Sequence, residues 1–177
     1  MPFDEYVSAN IFAPLGMGQT SYDLADLNIE NVAKLYWDKH TALPNYGNDS
    51  YPDGSIRTCS EDLAKFMLDM MKGAKGHSAT LFSPSGYDML FEALLPGGLI
   101  PSYLADNQGV FWFLDGDVIK HDGSDPGTTC NLQFSKYGDS GYFLMTNRDA
   151  STSIHDQVYF DLAEKVHAAV SVFIQHH

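Results

Sequence analysis

Basic residues are scarce in this sequence: ten Lys and Arg stand against 23 Asp and Glu, a formal net charge of −13 at pH 7. So acidic a chain, without a positive cluster, suits neither nucleic-acid phosphates nor an anionic membrane surface, because Lys and Arg hold both. Cysteine is almost absent. Cys59 and Cys130 are the two present, and they lie too far apart to form a metal-binding or redox motif. Two buried thiols or, in an exported parent protein, a disulfide both stay open as readings. No apolar run approaches the ~18 residues of a spanning helix, so no membrane span is expected. The N-terminus also lacks the basic-then-apolar pattern of a signal peptide.

Short catalytic motifs are missing as well. The sequence holds no G-x-S-x-G, no S-x-x-K, no H-E-x-x-H, no P-loop and no G-x-G-x-x-G, which removes every local pairing of nucleophile and base that those motifs announce. His40, His77, His155 and His167 are scattered without ligand spacing, so neither a metal nor another cofactor is expected. No internal repeat or low-complexity segment appears.

What is present is a chain of 177 residues with 44% hydrophobic content, enough for one domain with a real core. Phe3 to Phe12 carries apolar residues at the spacing of one helical face, ended by Pro14 and Gly16. Asn31 to Lys39 is ambiguous between a short helix and a strand. Thr41 to Arg57, rich in Pro, Gly, Asn, Asp and Tyr, reads as a long ordered loop of the kind that serves a site. Ser60 reads as the N-cap of a helix ending at Gly73, with Leu63, Phe66, Met67, Met70 and Met71 as its buried stripe. Ser83 to Leu94 reads as another helix, capped by Ser83 with Pro84 at its first position.

From Gln108 the period changes to two. "GVFWFL", "DVIKH", "TTCNLQFS" and "YFLMTN" are four β-rich runs separated by the turns Asp115-Gly116 and "KYGDSG", an antiparallel meander. Ser153 to Ile174 predicts a closing helix with Ile154, Val158, Leu162, Val166, Ala169, Val170 and Phe173 facing inward. The resulting organisation is helices and loops over 1–107, antiparallel strands over 108–147 and a C-terminal helix over 151–175. The fold class is α+β, an antiparallel β-sheet flanked by helices. His176-His177 reads as the remnant of a purification tag.

Between the second and third runs lies His121-Asp122-Gly123-Ser124-Asp125-Pro126-Gly127, "HDGSDPG". A strand ending in small residues lets another backbone approach closely, and the amide that follows can point at a ligand oxygen. A histidine there can hydrogen-bond or shuttle a proton near neutral pH. The plainer reading is a turn, since Asp-Gly and Pro-Gly are both turn dipeptides.

Three segments carry a resemblance to a known family. "YVSANIFAPLGMGQTSY" (Tyr6 to Tyr22) is similar to the "IFxPLGMxxT" segment of the serine β-lactamase and penicillin-binding-protein-like hydrolases. This is the class C-related group that includes esterases and D-aminopeptidases. "YPDGSIRTCSEDLAKFM" (Tyr51 to Met67) resembles that group's "PxGGLxSTxxDLAxF". "VIKHDGSDPGTTCNLQFSKYGDSGYFLMTN" (Val118 to Asn147) resembles its "HxGxxPGFxSxLxxxPxxGxxVVxLTN". The three occur in family order over most of the chain.

The resemblance implies the C-terminal part of a β-lactamase/transpeptidase-like fold. In such enzymes S-x-x-K on a helix, Y-x-N on a loop and K-T-G or H-x-G on an edge strand meet in one cleft. His121, Asp122 and Gly123 would be the third element, and the amide of Ser124 one of two oxyanion donors. The first two elements precede "IFxPLGM" in the family, so they are expected before residue 1, leaving this chain inactive by itself. Tyr46-Gly47-Asn48 fits Y-x-N literally but follows Pro14-Leu15-Gly16-Met17, so Tyr46 is expected to line the cleft rather than catalyse. Asn147 could contact substrate at the far edge, against a plainer role in turn or cap chemistry. Asp53-Gly54-Ser55 departs from the family's Gly-Gly, and Asp122 adds a negative charge that would repel a carboxylate-bearing substrate unless it points away from the cleft. The implied partner of the intact protein is a small β-lactam, ester or peptide, in a periplasmic or secreted setting. The surface left by a missing portion would favour self-association. The alternative is a non-catalytic binding domain that kept the sheet and lost the chemistry.

Overall fold

A computed structural model describes residues 1–77, 79–148, 150 and 153–175, excluding the side chains of 153–156, 174 and 175. The chain divides into two compact units, Met1–Ala33 with Asn45–Asp88 and Lys34–Pro44 with Met89–His177.

The first unit is helical. Helix α1 (Phe3–Val7) runs through a π-helical turn at Ser8–Phe12 into the short α2 (Ala13–Leu15), and Gly16 ends it. The helix therefore passes through Pro14, which sits at the start of α2 where its missing amide is not needed. Val7, Phe12 and Met17 form the buried cluster, with Ile11, Leu15, Tyr22 and Phe66 packed against it. Phe3 and Tyr6, at two of the predicted apolar-face positions, are exposed instead.

Helix α3 spans Ser60–Ala74, with Cys59 rather than Ser60 in the cap position. Met67, Met70 and Met71 are buried and Leu63 and Phe66 half-buried, as the spacing predicts. Two carboxylates share the buried side. Asp62, 1% exposed, accepts bonds from the Gln19 amide at 2.7 Å, the Thr20 hydroxyl at 3.0 Å and Lys65 at 2.9 Å. Burial alone would raise the Asp62 carboxyl, yet the bonds from Lys65, Gln19 and Thr20 hold it below the usual carboxylate range, tying the "GMGQT" segment to α3. Asp69 accepts from the Tyr87 hydroxyl and the Thr80 amide. Burial, then the bond to Asp69, pushes the Tyr87 phenol up to about 12. Gly73 does not stop α3. A Cβ there would lie 2.1 Å from the Tyr87 ring, so glycine is what lets that ring close on the helix.

Helix α4 (Pro84–Leu90) begins as predicted, the Ser83 hydroxyl accepting from the Gly86 amide at 3.2 Å. It stops at Leu90 instead of Leu94. The Leu94 and Leu95 amides bond to Gln108 O and Asn107 Oδ1, so residues that look helical by period are drawn along a strand edge.

The second unit is built on a five-stranded antiparallel meander: β1 (Asn107–Gln108), β2 (Phe113–Asp115), β3 (Val118–Asp125), β4 (Thr128–Ser135) and β5 (Gly141–Thr146), adjacent in that order. One face buries Ile119 and Phe134 against Phe91 and Trp112 through edge-on ring contacts of 5.7–5.9 Å. The predicted run "GVFWFL" is only partly strand, because Gly109 to Trp112 forms a turn pinned by Gly109 N to Trp112 O at 2.8 Å. Of residues 31–39, Asn31 ends a short 3-10 turn (Ile29–Asn31) and the rest form neither helix nor strand, Tyr36 making isolated bridges to Ala42 and Arg148.

The closing helix α5 (Ser153–Gln175) follows β5. Its half-buried side is Tyr159, Ala163, Val166 and Val170. Val158 and Phe173 are 60% and 61% exposed, and Leu162 and Ala169 are exposed too, which corrects the predicted inward stripe by a rotation of roughly 60–80° about the helix. Ile154, also predicted inward, lies outside the described side chains, as His176 and His177 lie outside the described residues.

Candidate functional site

The glycine-rich stretch is strand, not turn. Val118 to Asp125 pairs with Ser135 to Thr128 over its whole length, and only Pro126 and Gly127 make the turn. Gly127 takes φ 81, and a Cβ there would come within 2.7 Å of Leu35 and 3.1 Å of the Tyr36 amide. Both its conformation and its surroundings exclude a side chain.

The other side of β3 is paired over less than half its length. β2 pairs Asp115, Leu114 and Phe113 with Val118, Ile119 and Lys120 and ends there. From His121 onward β3 has no strand on that side among the described residues. In an antiparallel ladder successive residues point their amides to alternate sides. The Asp117 carbonyl accepts from the Lys136 amide at 2.7 Å, so 117, 119, 121, 123 and 125 face β4. The amides of Asp122 and Ser124 consequently face the open side.

Side chains alternate as well. His121 and Gly123 share the face of Leu132 and Cys130, their β4 partners, whereas Asp122 and Ser124 share the opposite face with Asn131 and Thr129. His121 is exposed and held between two rings, stacked on Phe113 at 6.3 Å and edge-on to Trp112 at 6.2 Å. Asp122 lies on the α5 side: after burial and Cys130, its charge helps push the α5 phenol of Tyr159 up. The extra carboxylate thus sits on the face away from His121. The Ser124 hydroxyl reaches Thr128 O and Thr129 Oγ1 at 3.4 Å, a local hairpin arrangement with no base beside it. Cys130 stands across from Gly123, its sulfur 3.3 Å from where a Cβ on Gly123 would be. Burial first, then Asp122 and Asp125, pushes this thiol up.

Asn147 follows β5 and donates from Nδ2 to the Lys34 carbonyl at 2.9 Å, while its own carbonyl accepts from the Tyr36 amide at 3.1 Å. Both bonds run to the distant 34–36 segment, so they belong to neither a turn nor a helix cap. Tyr46 belongs to the first unit, half-buried, and lines a cavity of about 420 Å³ with Tyr22, Tyr51 and Arg57. The Arg57 guanidinium bonds to the carbonyls of Tyr22, Ser55 and Tyr46 and so fixes that loop. Ser55 has φ 66, a left-handed conformation that glycine adopts freely and a serine only at a cost of about 1 kcal/mol. In the sequence, Trp112 and Phe113 read only as part of the β-rich run "GVFWFL". What makes them matter is their placement beside His121, which no sequence spacing announces.

The profile of the family described as Beta-lactamase matches residues 1–165. No curated protein matches the chain in sequence. Among solved structures, a class C beta-lactamase from Rhodobacter sphaeroides superposes with TM-score 0.68 at 13% identity, covering 94% of this chain and 55% of that one. Another class C beta-lactamase gives 0.66 at 16%, covering 90% and 49%. The penicillin binding protein from Bacillus halodurans gives 0.63 at 18%, covering 92% and 50%. At such identities the likeness is one of fold, and this chain spans about half the length of each. No described helix is long and apolar enough to cross a membrane.

Proposed function

The chain belongs to the β-lactamase family, and from that premise we propose that it supplies one wall of an acyl-serine hydrolase site. The observation that carries this reading is the open side of β3 from His121 to Ser124. A carbonyl oxygen lying along that side meets the outward amide of Ser124, one of the two donors that an oxyanion requires. Gly123 leaves room for the substrate backbone, and His121, braced by Trp112 and Phe113, stands where it can orient a neighbouring hydroxyl or pass a proton. Asp122 acts on the site only as a nearby charge. The nucleophile comes from an S-x-x-K element outside these 177 residues, assisted by a Y-x-N tyrosine. The serine oxygen bonds to the acyl carbon as its proton passes to the Lys and Tyr pair, and the leaving group departs with that proton. Water then cleaves the acyl-serine and restores the hydroxyl. The substrate class is a small β-lactam, ester or peptide.

With half an oxyanion hole and no nucleophile, this chain alone is expected to give no stoichiometric burst of nitrophenol from nitrophenyl acetate. A burst that survives Ser124→Ala but disappears when another serine is replaced would overturn this reading. A second reading, a binding domain without chemistry, draws on the missing S-x-x-K. An upstream reading frame that encodes S-x-x-K and then Y-x-N would decide against it.

A further inference from the structure

Bulky side chains avoid φ near +60° because the Cβ crowds the following carbonyl. Phe111 adopts φ 64, in the turn from Gly109 to Trp112. That turn is fixed from several sides. Gly109 N donates to Trp112 O at 2.8 Å, Val110 N donates to Leu90 O at 3.0 Å, and a Cβ on Gly109 would strike Leu90 O at 2.5 Å. The phenyl group responsible for the strain gains almost no burial in return, being 78% exposed. A glycine would satisfy the turn without strain. The two residues that follow are the ones that hold His121: Trp112 edge-on at 6.2 Å and Phe113 stacked at 6.3 Å. Val110, the other central residue of the turn, is also exposed. The unpaired side of β3 therefore begins where an apolar, strained turn ends.

We infer that Phe111 is a specificity-determining residue, an apolar platform for the aryl or bulky alkyl group attached to a carbonyl bound along the open side of β3. This rests on the reading of that side as a carbonyl-binding strand. Strained backbone clusters at ligand sites, and this ring is left uncovered by the fold. Esters and amides bearing an aryl group next to the reacting carbonyl are then the preferred class over their methyl counterparts.

The test uses the ¹⁵N-labelled chain and two methyl esters that differ only on the carbonyl side, methyl phenylacetate and methyl acetate. Both are expected to shift the Ser124 amide resonance, with methyl phenylacetate binding roughly tenfold tighter from partial burial of its ring. In Phe111→Gly the preference is expected to fall below about twofold, while Tm stays level or rises by up to about 3 °C as strain is relieved. Phe111→Leu, which keeps an apolar side chain, is expected to retain a several-fold preference. Equal affinities in the parent chain, or a preference that persists in Phe111→Gly, would overturn the role of Phe111 and leave the carbonyl-binding reading standing. A Tm drop of more than about 3 °C in Phe111→Gly would overturn it too, by making the ring a packing residue. If neither ester moves the Ser124 resonance, both readings fall.

Discussion

The two halves of β3 differ sharply although they are one continuous strand. Val118 to Lys120 is hydrogen-bonded on both sides, and Ile119 is 1% exposed under Phe134 and its ring neighbours. His121 to Asp125 keeps the same partner on one side and has no strand on the other among the described residues, and its first four residues are exposed. The first half contributes to stability and sets the register. The second inherits that register, so its amides are aimed without needing buried side chains of their own. The proposed site thus lies where the sheet stops pairing on one side while the strand itself continues.

Three experiments bear on that contrast, in decreasing order of expected effect. Ile119→Ala should remove about 4 kcal/mol from unfolding in urea, because it opens a cavity under Phe134 and Trp112. A loss below about 1 kcal/mol would mean the first half is not an anchor. Proline substitution reads the open side directly. Lys120→Pro removes an amide that faces β2 and should cost about 3 kcal/mol, whereas Ser124→Pro removes one that faces no strand and should cost about 1 kcal/mol. Equal losses would show that Ser124 is paired after all. The smallest effect concerns Cys130. Its thiol is raised by burial and then by the charges of Asp122 and Asp125, so its thiolate fraction, and with it alkylation by iodoacetamide, should still be climbing as pH passes 9. Asp122→Asn removes a negative charge, lowers the thiol pKa and should speed alkylation at pH 8 by about twofold. No acceleration would place Asp122 farther from Cys130 than the β3–β4 pairing suggests.

Where a segment's own chemistry decides its structure, the sequence was readable. The Met67, Met70 and Met71 stripe follows from helical spacing, the Ser83-Pro84 start of α4 from capping, and the β3, β4 and β5 strands from alternation between turn residues. Misreadings cluster where a distant partner intervened. Leu94 left its helical pattern to bond with Gln108. Gly73 proved to be a seat for Tyr87 rather than a stop. Val158, Leu162 and Phe173 are as apolar as a core stripe demands, yet they lie outside it because Tyr159, Ala163, Val166 and Val170 are turned inward. Periodicity shows that a helix has an apolar side, but not how wide that side is or which part of it is covered. The candidate site was half legible: the motif resemblance picked out His121 to Ser124, but not Trp112, Phe113 or Phe111.

By itself, the sequence determined the α+β order, the family resemblance and the choice of a candidate stretch, because hydrophobic period, turn residues and short motifs are local properties. Only the tertiary structure decided that "HDGSD" is paired on one side alone, that its amides at Asp122 and Ser124 face outward, that Asp122 lies on the face away from His121, and that Phe111 is strained. The third follows from alternation along β3 and the fourth from the turn between β1 and β2, while the first two depend on where the neighbouring strand β2 ends. That end point is set by the register of two hairpins, and no residue within the heptapeptide encodes it.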